Sequence, residues 1–207
     1  MRLMQYGDEF TILLAGTELM STRASSSEEA LATMTRERLG DRAGQEWLIG
    51  GYGMGYTLRA ALGVLGPDDS VTVAEIVPEI IDWARGPMQV LTAGCLDDRR
   101  VVVVDDDVAM LIASARAAYD AILLDVDNGP EGLTRRENDD LYAGDGLRSA
   151  MKALRPGGVL AVWSAWPDPA FTLRLREAGY EVEEVPVLEI AAKKEGTHHM
   201  IWFARKA

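Results

Sequence analysis

From Trp47 onward the chain alternates short apolar runs with longer mixed stretches. Trp47-Leu48-Ile49, Val71 to Glu75, Val101 to Val104, Tyr119 to Asp125 and Val159 to Trp163 are rich in strand formers and read as strands. Between them, helices are expected from about Gly55, from Pro78 to Arg85, over 108–117, over 142–154 and over 168–178. Pro78 stands where the missing N–H of a first helical residue costs nothing, and Pro156-Gly157-Gly158 and Gly179 stop the last two helices. The uninterrupted valines at 101–104 predict a strand buried on both faces. Repeated strand–helix units imply a mostly parallel sheet with helices on both faces. Tyr180 to Val187 and His199 to Ala204 lack an intervening helix, so they are expected to pair as an antiparallel edge hairpin through the polar Lys193-Lys194-Glu195-Gly196 turn.

The first forty residues follow a different pattern. Residues 8–14 and 18–22 read as a hairpin around Ala15-Gly16-Thr17. Ser25-Ser26-Ser27-Glu28-Glu29 then carries capping hydroxyls followed by acids, the signature of a helix start, and that helix is expected to reach Leu39 and stop at Gly40. The expected organisation is an N-terminal hairpin and helix over 1–40, too small to fold alone, followed by one domain over 41–207.

Composition narrows the partners. The chain has 207 residues, enough for one sizeable core, and a formal net charge of −12. That balance argues against a nucleic-acid backbone or an anionic membrane as main partner. One cysteine, Cys95, excludes an intrachain disulfide. No charged-then-apolar leader and no membrane-length apolar run is seen, so a cytoplasmic location is expected.

The strand ends carry the candidate chemistry. Gly50-Gly51-Tyr52-Gly53-Met54-Gly55 makes a glycine turn between strand and helix, where a ligand can approach backbone N–H groups closely. Glu75, at the next strand end, can accept both hydroxyls of a ribose. Asp106 can accept from an exocyclic amine such as that of adenine. Asp125 ends the fourth strand with Asp127 close behind, and the two can act as base and substrate anchor toward an amine. Each acid can equally be a helix cap or loop organiser. A dinucleotide site wants a third glycine where Tyr56 stands. Acids at 131, 139, 140 and 145 lie in the same loop region, where they can attract a cation or simply face solvent. Trp163, Trp166 and Tyr142 are aromatic pocket candidates, with Trp166 the better placed. His198-His199 lacks further metal ligands nearby, and Arg135-Arg136 reads as a solvated pair.

In these motifs the chain resembles the spermidine synthase family, aminopropyltransferases built on the Rossmann-like class I S-adenosylmethionine-dependent methyltransferase fold. The family's Gly-Gly-Gly-Asp-Gly-Gly-x-Leu-Arg aligns with Gly51 to Arg59. Its Glu-Ile-Asp aligns with Glu75-Ile76-Val77, its Gly-Asp-Gly with Asp105-Asp106-Asp107, and its Tyr-Asp-x-Ile-x-x-Asp with Tyr119 to Asp125. The resemblance implies an α/β fold with a mostly parallel seven-stranded sheet and a C-terminal antiparallel hairpin. It implies S-adenosylmethionine, or its decarboxylated form, as cofactor, contacted by Gly51, Gly53, Met54, Gly55, Glu75, Ile76, Asp106, Asp107 and Asp125, with Asp125 as the catalytic aspartate; Asp127 joins it as a catalytic candidate from its place close behind. A small acceptor, such as a cationic amine, and a homodimer formed through the N-terminal hairpin are implied as well.

The departures concern the amine site. The family has an acid at 54, near the amino end of the transferred aminopropyl group, and here Met54 stands there. The family's serines after the catalytic aspartate are absent from Val126-Asp127-Asn128-Gly129-Pro130, and its Tyr-His-Glu segment has no counterpart with Tyr, His or Gln in 18–31. Loss of a carboxylate near the cofactor tail removes repulsion of the carboxylate of ordinary S-adenosylmethionine. The expectation is therefore methyl transfer to a small acceptor, with aminopropyl transfer and a non-catalytic nucleoside-binding module as the alternatives.

Overall fold

The computed structural model describes residues 1–23, 25–126, 129–130, 137–189 and 197–207, the side chains of 137–139 and 197 excepted. Three N-terminal strands, β1 (Arg2–Tyr6), β2 (Glu9–Leu14) and β3 (Thr17–Ser21), form a small antiparallel sheet. The expected hairpin is thus β2–β3. β1 was not expected; it joins through Gly7, whose φ of +60° makes the tight turn that pairs Tyr6 with Glu9. Helix α1 (Ser26–Leu39) comes next and ends at Gly40 as the pattern predicts.

The main sheet has seven strands: β4 (Glu46–Gly50), β5 (Ser70–Ala74), β6 (Val101–Val104), β7 (Tyr119–Leu124), β8 (Leu154–Ser164), β9 (Glu181–Glu189) and β10 (Thr197–Arg205). Their order is β6-β5-β4-β7-β8-β10-β9, with β10 antiparallel to both neighbours and the other described pairings parallel. The final hairpin forms as expected, but β10 folds back between β8 and β9, leaving β9 at the edge. Helices α2 (Tyr56–Val64), α3 (Pro78–Arg85), α4 (Gln89–Thr92), α5 (Val108–Ser114), α6 (Glu137–Tyr142), α7 (Gly144–Ala153) and α8 (Pro169–Glu177) cover the faces.

Alternation along the strands builds two cores. Trp47, Ile49, Leu123, Ala161 and Phe203 face one way and meet Leu31 of α1, Leu58 of α2 and Ile80 of α3. Leu48, Ile122, Leu124, Leu160 and Trp202 face the other and meet Ile112 of α5, Leu147 of α7 and Phe171 of α8. Helix α1 therefore shares the core of the main sheet, while β1–β3 remain a sheet of their own. Two expectations need correction. The valine run of β6 is not buried on both faces: β6 is an edge strand, and Val102 is 58% exposed. Its β-branched side chains reflect strand propensity rather than double burial. The helix expected over 142–154 forms as α7, with the shorter α6 before it, but the stretch Leu154-Arg155-Pro156-Gly157-Gly158, expected only to stop that helix, belongs to the irregular start of β8. The Lys193 to Gly196 turn lies outside the described residues.

What the sheet does for the site is set by register. Gly50 pairs with Ala74 and Leu124, Ala74 with Val104, and Leu124 with Val162. These residues form one row across the sheet, so the next ones, Gly51, Glu75, Asp105, Asp125 and Trp163, emerge together at its carboxyl edge. Backbone bonds continue the ladder one step there: Gly51 N–H donates to Ala74, Glu75 N–H to Val104 and Asp125 N–H to Gly50, at 2.9–3.0 Å. This is the edge of an open α/β sheet where ligands bind.

Candidate functional site

A cavity of about 380 Å³ opens above this row, within the usual size range of small-molecule sites. It is lined by Gly51, Gly53, Glu75, Ile76, Asp106, Asp107 and Asp125 of the expected set, together with Ile80, Val108 and Trp163. The N-terminal segment supplies a further wall through Leu14, Leu19, Met20 and Glu28.

Gly51 must be glycine for two reasons. Its φ is +83°, and a Cβ there would sit 2.4 Å from the carbonyl oxygen of Asp125. The turn is tied down by Glu75, which is buried and accepts from Tyr52 N–H through Oε2 and from Val77 N–H through Oε1, both at 2.9 Å. Gly55, in the left-handed region before α2, faces away from the cavity, and a Cβ there would strike Thr92 and Tyr52. Met54 is not among the lining residues either: it is 2% exposed and packs in the core. Asp107 caps α5 by accepting from Ala109 N–H at 2.8 Å, and Asp106 accepts from the N–H of Asp107 at 2.8 Å while remaining exposed at the rim.

Asp125 lies at the inner end. Thr57 of α2 donates to its Oδ2 at 2.6 Å. Burial pushes its pKa up to about 6, against the pull of the Thr57 hydrogen bond. Glu28 of α1 faces the same cavity. Its Oε2 is buried and has no hydrogen-bond partner among the described residues. Burial, then the charges of Asp125, Glu189 and Glu29, raise its pKa well above the ordinary carboxylate value. Neither Thr57 nor Glu28 stood out in the sequence. Glu28 reads as a favourable first-turn acid, yet it lies three and four residues before Leu31 and Ala32, both fully buried, and so on the buried stripe of α1.

The first turn of α1 is held from across the sheet. The carboxylate of Glu189 accepts from the N–H groups of Ser25, Ser26 and Ser27 at 2.8–3.1 Å and from the hydroxyls of Ser26 and Ser27. The serines expected to cap the helix are thus capped by a distant acid. Burial opposes ionisation of Glu189, but the Ser27 and Ser26 hydrogen bonds outweigh it and hold its pKa below the ordinary value. The Ser27 hydroxyl also lies 2.8 Å from His199 Nδ1 and accepts from Trp163 Nε1 at 3.0 Å, and the two rings meet edge to face.

Of the aromatic candidates, Trp163 lines the cavity. Trp166 does not: it lies beyond the end of β8 and is 51% exposed. Tyr142 packs edge-on against Phe171. Asp127, Asn128, Glu131, Arg135 and Arg136, and the side chain of Asp139, fall outside the described residues. Among the described residues no group of acids, histidines and cysteine is placed to hold a metal ion.

A glycine turn between strand and helix, a mostly parallel seven-stranded sheet and a single antiparallel strand inserted near its edge define a class I methyltransferase-like fold. The comparisons carry this to a family. The model of the spermine/spermidine synthase domain matches residues 45–173, and the chain belongs to that family. A polyamine aminopropyltransferase of Mycobacterium tuberculosis is 30% identical over 185 residues, 85% of this chain and 34% of that protein. Putrescine N-methyltransferase 4 of Nicotiana tabacum is 33% identical over 113 residues, 55% of this chain and 28% of that protein. The chain thus spans about a third of the length of these relatives. The solved spermidine synthase of Thermotoga maritima superposes with a TM-score of 0.72 at 18% identity, covering 96% of this chain and 66% of that one, a likeness of fold. No described helix is long and apolar enough to cross a membrane.

Proposed function

We propose that the protein binds S-adenosylmethionine in this cavity and transfers its methyl group to a small amine. The observation that carries the reading is the convergence of Glu75, Asp106 and Asp125 on one cavity under the Gly51 turn. The residues present suit an adenosyl group. Glu75, already fixed by two backbone donors, keeps a lone pair on each oxygen for ribose hydroxyls. Ile76 and Val108 offer apolar walls for a flat base, and Asp106 at the rim can accept from its amine. Bound there, the nucleoside supplies an electrophilic carbon next to a sulfonium. The chain's own part is to hold an acceptor nitrogen in line and to receive its proton at Asp125, whose pKa near 6 leaves it ionised and basic at neutral pH.

Methyl transfer is favoured over aminopropyl transfer by Met54, since no carboxylate at 54 awaits an aminopropyl ammonium and the methionine is buried in the core. The similarity to a polyamine aminopropyltransferase is the observation on the other side, and decarboxylated S-adenosylmethionine is the second reading. Calorimetric titration with both nucleosides separates the two. Tighter binding of the ordinary form is expected, with the affinity falling about tenfold or more in Asp106→Ala. Preference for the decarboxylated form contradicts the first reading, and an unchanged affinity in Asp106→Ala contradicts the placement of the base.

A further inference from the structure

The cavity has two halves, set by strand order. The ends of β5 and β6 bring Glu75, Ile76, Asp106 and Asp107 to one side of the Gly51 turn. The ends of β7 and β8 lie on the other side, with Asp125, Val126 and Trp163; Glu28 of α1 lies close enough to feel the charge of Asp125, and Met1, Leu14, Leu19 and Met20 of the N-terminal segment line the same cavity. The first half is given to the nucleoside in the proposed function, and the assignment of the second half rests on that reading.

Two half-buried carboxylates, Glu28 and Asp125, line this part of the cavity, and no described cation pairs with Glu28. The charged groups around it are otherwise accounted for. Glu29 is paired with Arg59 of α2, Glu189 is occupied by the N-terminus of α1, and His199 sits against Ser27. An ionised carboxylate with an orphan buried oxygen beside a second carboxylate is costly unless it takes up a proton or a cation arrives. Among the described residues, the N-terminal lining is otherwise aliphatic and thioether side chains, with the Trp163 ring beside it.

We propose that the acceptor is an alkylamine whose ammonium is held between Glu28 and Asp125 and whose remaining bulk is apolar, packed on Leu14, Leu19, Met20 and Trp163. A diamine would set its second ammonium against those apolar walls, where it loses hydration without gaining a partner. The step balances within the site. The ammonium proton passes to one carboxylate, leaving a neutral amine. The amine lone pair forms the new N–C bond as the C–S bond breaks, and the electron pair leaves with sulfur as a neutral thioether. The positive charge moves from sulfonium to product ammonium, facing the carboxylate that stayed ionised.

The test is calorimetric titration of butylamine, hexylamine and putrescine, each with and without S-adenosylhomocysteine. Hexylamine should bind most tightly, with affinity rising roughly threefold to fourfold per added methylene. Glu28→Gln should weaken alkylamine binding about tenfold or more while leaving the affinity for S-adenosylhomocysteine unchanged. Met20→Gln should flatten the dependence on chain length, a readout that survives if Glu28→Gln fails to fold. Tighter binding of putrescine than of hexylamine overturns the proposal. So does a Glu28→Gln variant that keeps its amine affinity, or one that loses nucleoside affinity instead. Failure of the wild-type protein to bind any adenosyl nucleoside overturns the proposed function, and the amine series without nucleoside still decides this inference.

Discussion

Asp125 shows how a single residue is tuned by groups distant in sequence. Its carboxyl is pushed up by burial and pulled down by Thr57, 68 positions earlier in the chain. If Asp125 is the base, activity rises with pH through a limb near 6. Thr57→Val removes the hydrogen bond to the ionised form, so the limb should move upward by on the order of one pH unit. A pH–rate profile of the variant checks this, and an unmoved limb would assign the limb to another group. Glu28 yields a stability prediction. Its folded pKa is raised, so the folded chain keeps that proton to higher pH than the unfolded chain. The contribution is present below the unfolded carboxylate pKa and is lost as pH rises through the folded one. Glu28→Gln should therefore be more stable than wild type at neutral pH, by on the order of 1 kcal/mol or about 2–4 °C in Tm, with the gain vanishing near pH ~4. A Tm gain that is equal at both pH values would show that charge is not the cause.

At the scale of elements, most of the strand and helix positions were legible because local and global signals agree. Pro78 opens α3, Gly40 closes α1, and the apolar runs of β4 and β7 alternate toward two cores. Glycines and acids at strand ends could be read as one site because parallel register puts strand ends in a row. What was not legible depends on contacts between distant segments. Nothing near Ser25 reveals that its helix is capped by Glu189, 164 positions later, and nothing near Glu28 reveals that its Oε2 lacks a partner among the described residues. β6 misled because valines serve an edge strand as well as a buried one. The Glu189 cap carries its own prediction. Its pKa is depressed, so its stabilisation is present above the unfolded carboxylate pKa and fades as pH falls through the folded value. Glu189→Ala should cost about 1–3 kcal/mol at neutral pH. It should also speed hydrogen exchange in the first turn of α1, and the cost should shrink in acid. Because that turn carries Glu28, amine binding should weaken alongside.

The whole molecule is a nucleotide-type sheet with a small sheet and one helix drawn across its ligand edge. On the proposed function the main sheet supplies the adenosyl half-site, whose glycine turn and acids were readable in the sequence. The proposed acceptor half draws on Glu28 of α1 and Asp125 at the end of β7, so it is assembled only by tertiary structure. Under the proposed function, this division would let a chain keep a family's nucleoside motifs while changing what receives the transferred group. Met54, where the family carries an acid, belongs to the core here, and Glu28 on α1 adds a carboxylate to those the strand ends bring to the cavity. The most direct test of the account is mass spectrometry of the products formed by purified protein given an alkylamine with ordinary or decarboxylated S-adenosylmethionine. The account predicts S-adenosylhomocysteine and the N-methylated amine from the ordinary form, abolished in Asp125→Asn. Methylthioadenosine with an aminopropylated amine, or no product from either nucleoside, would contradict it.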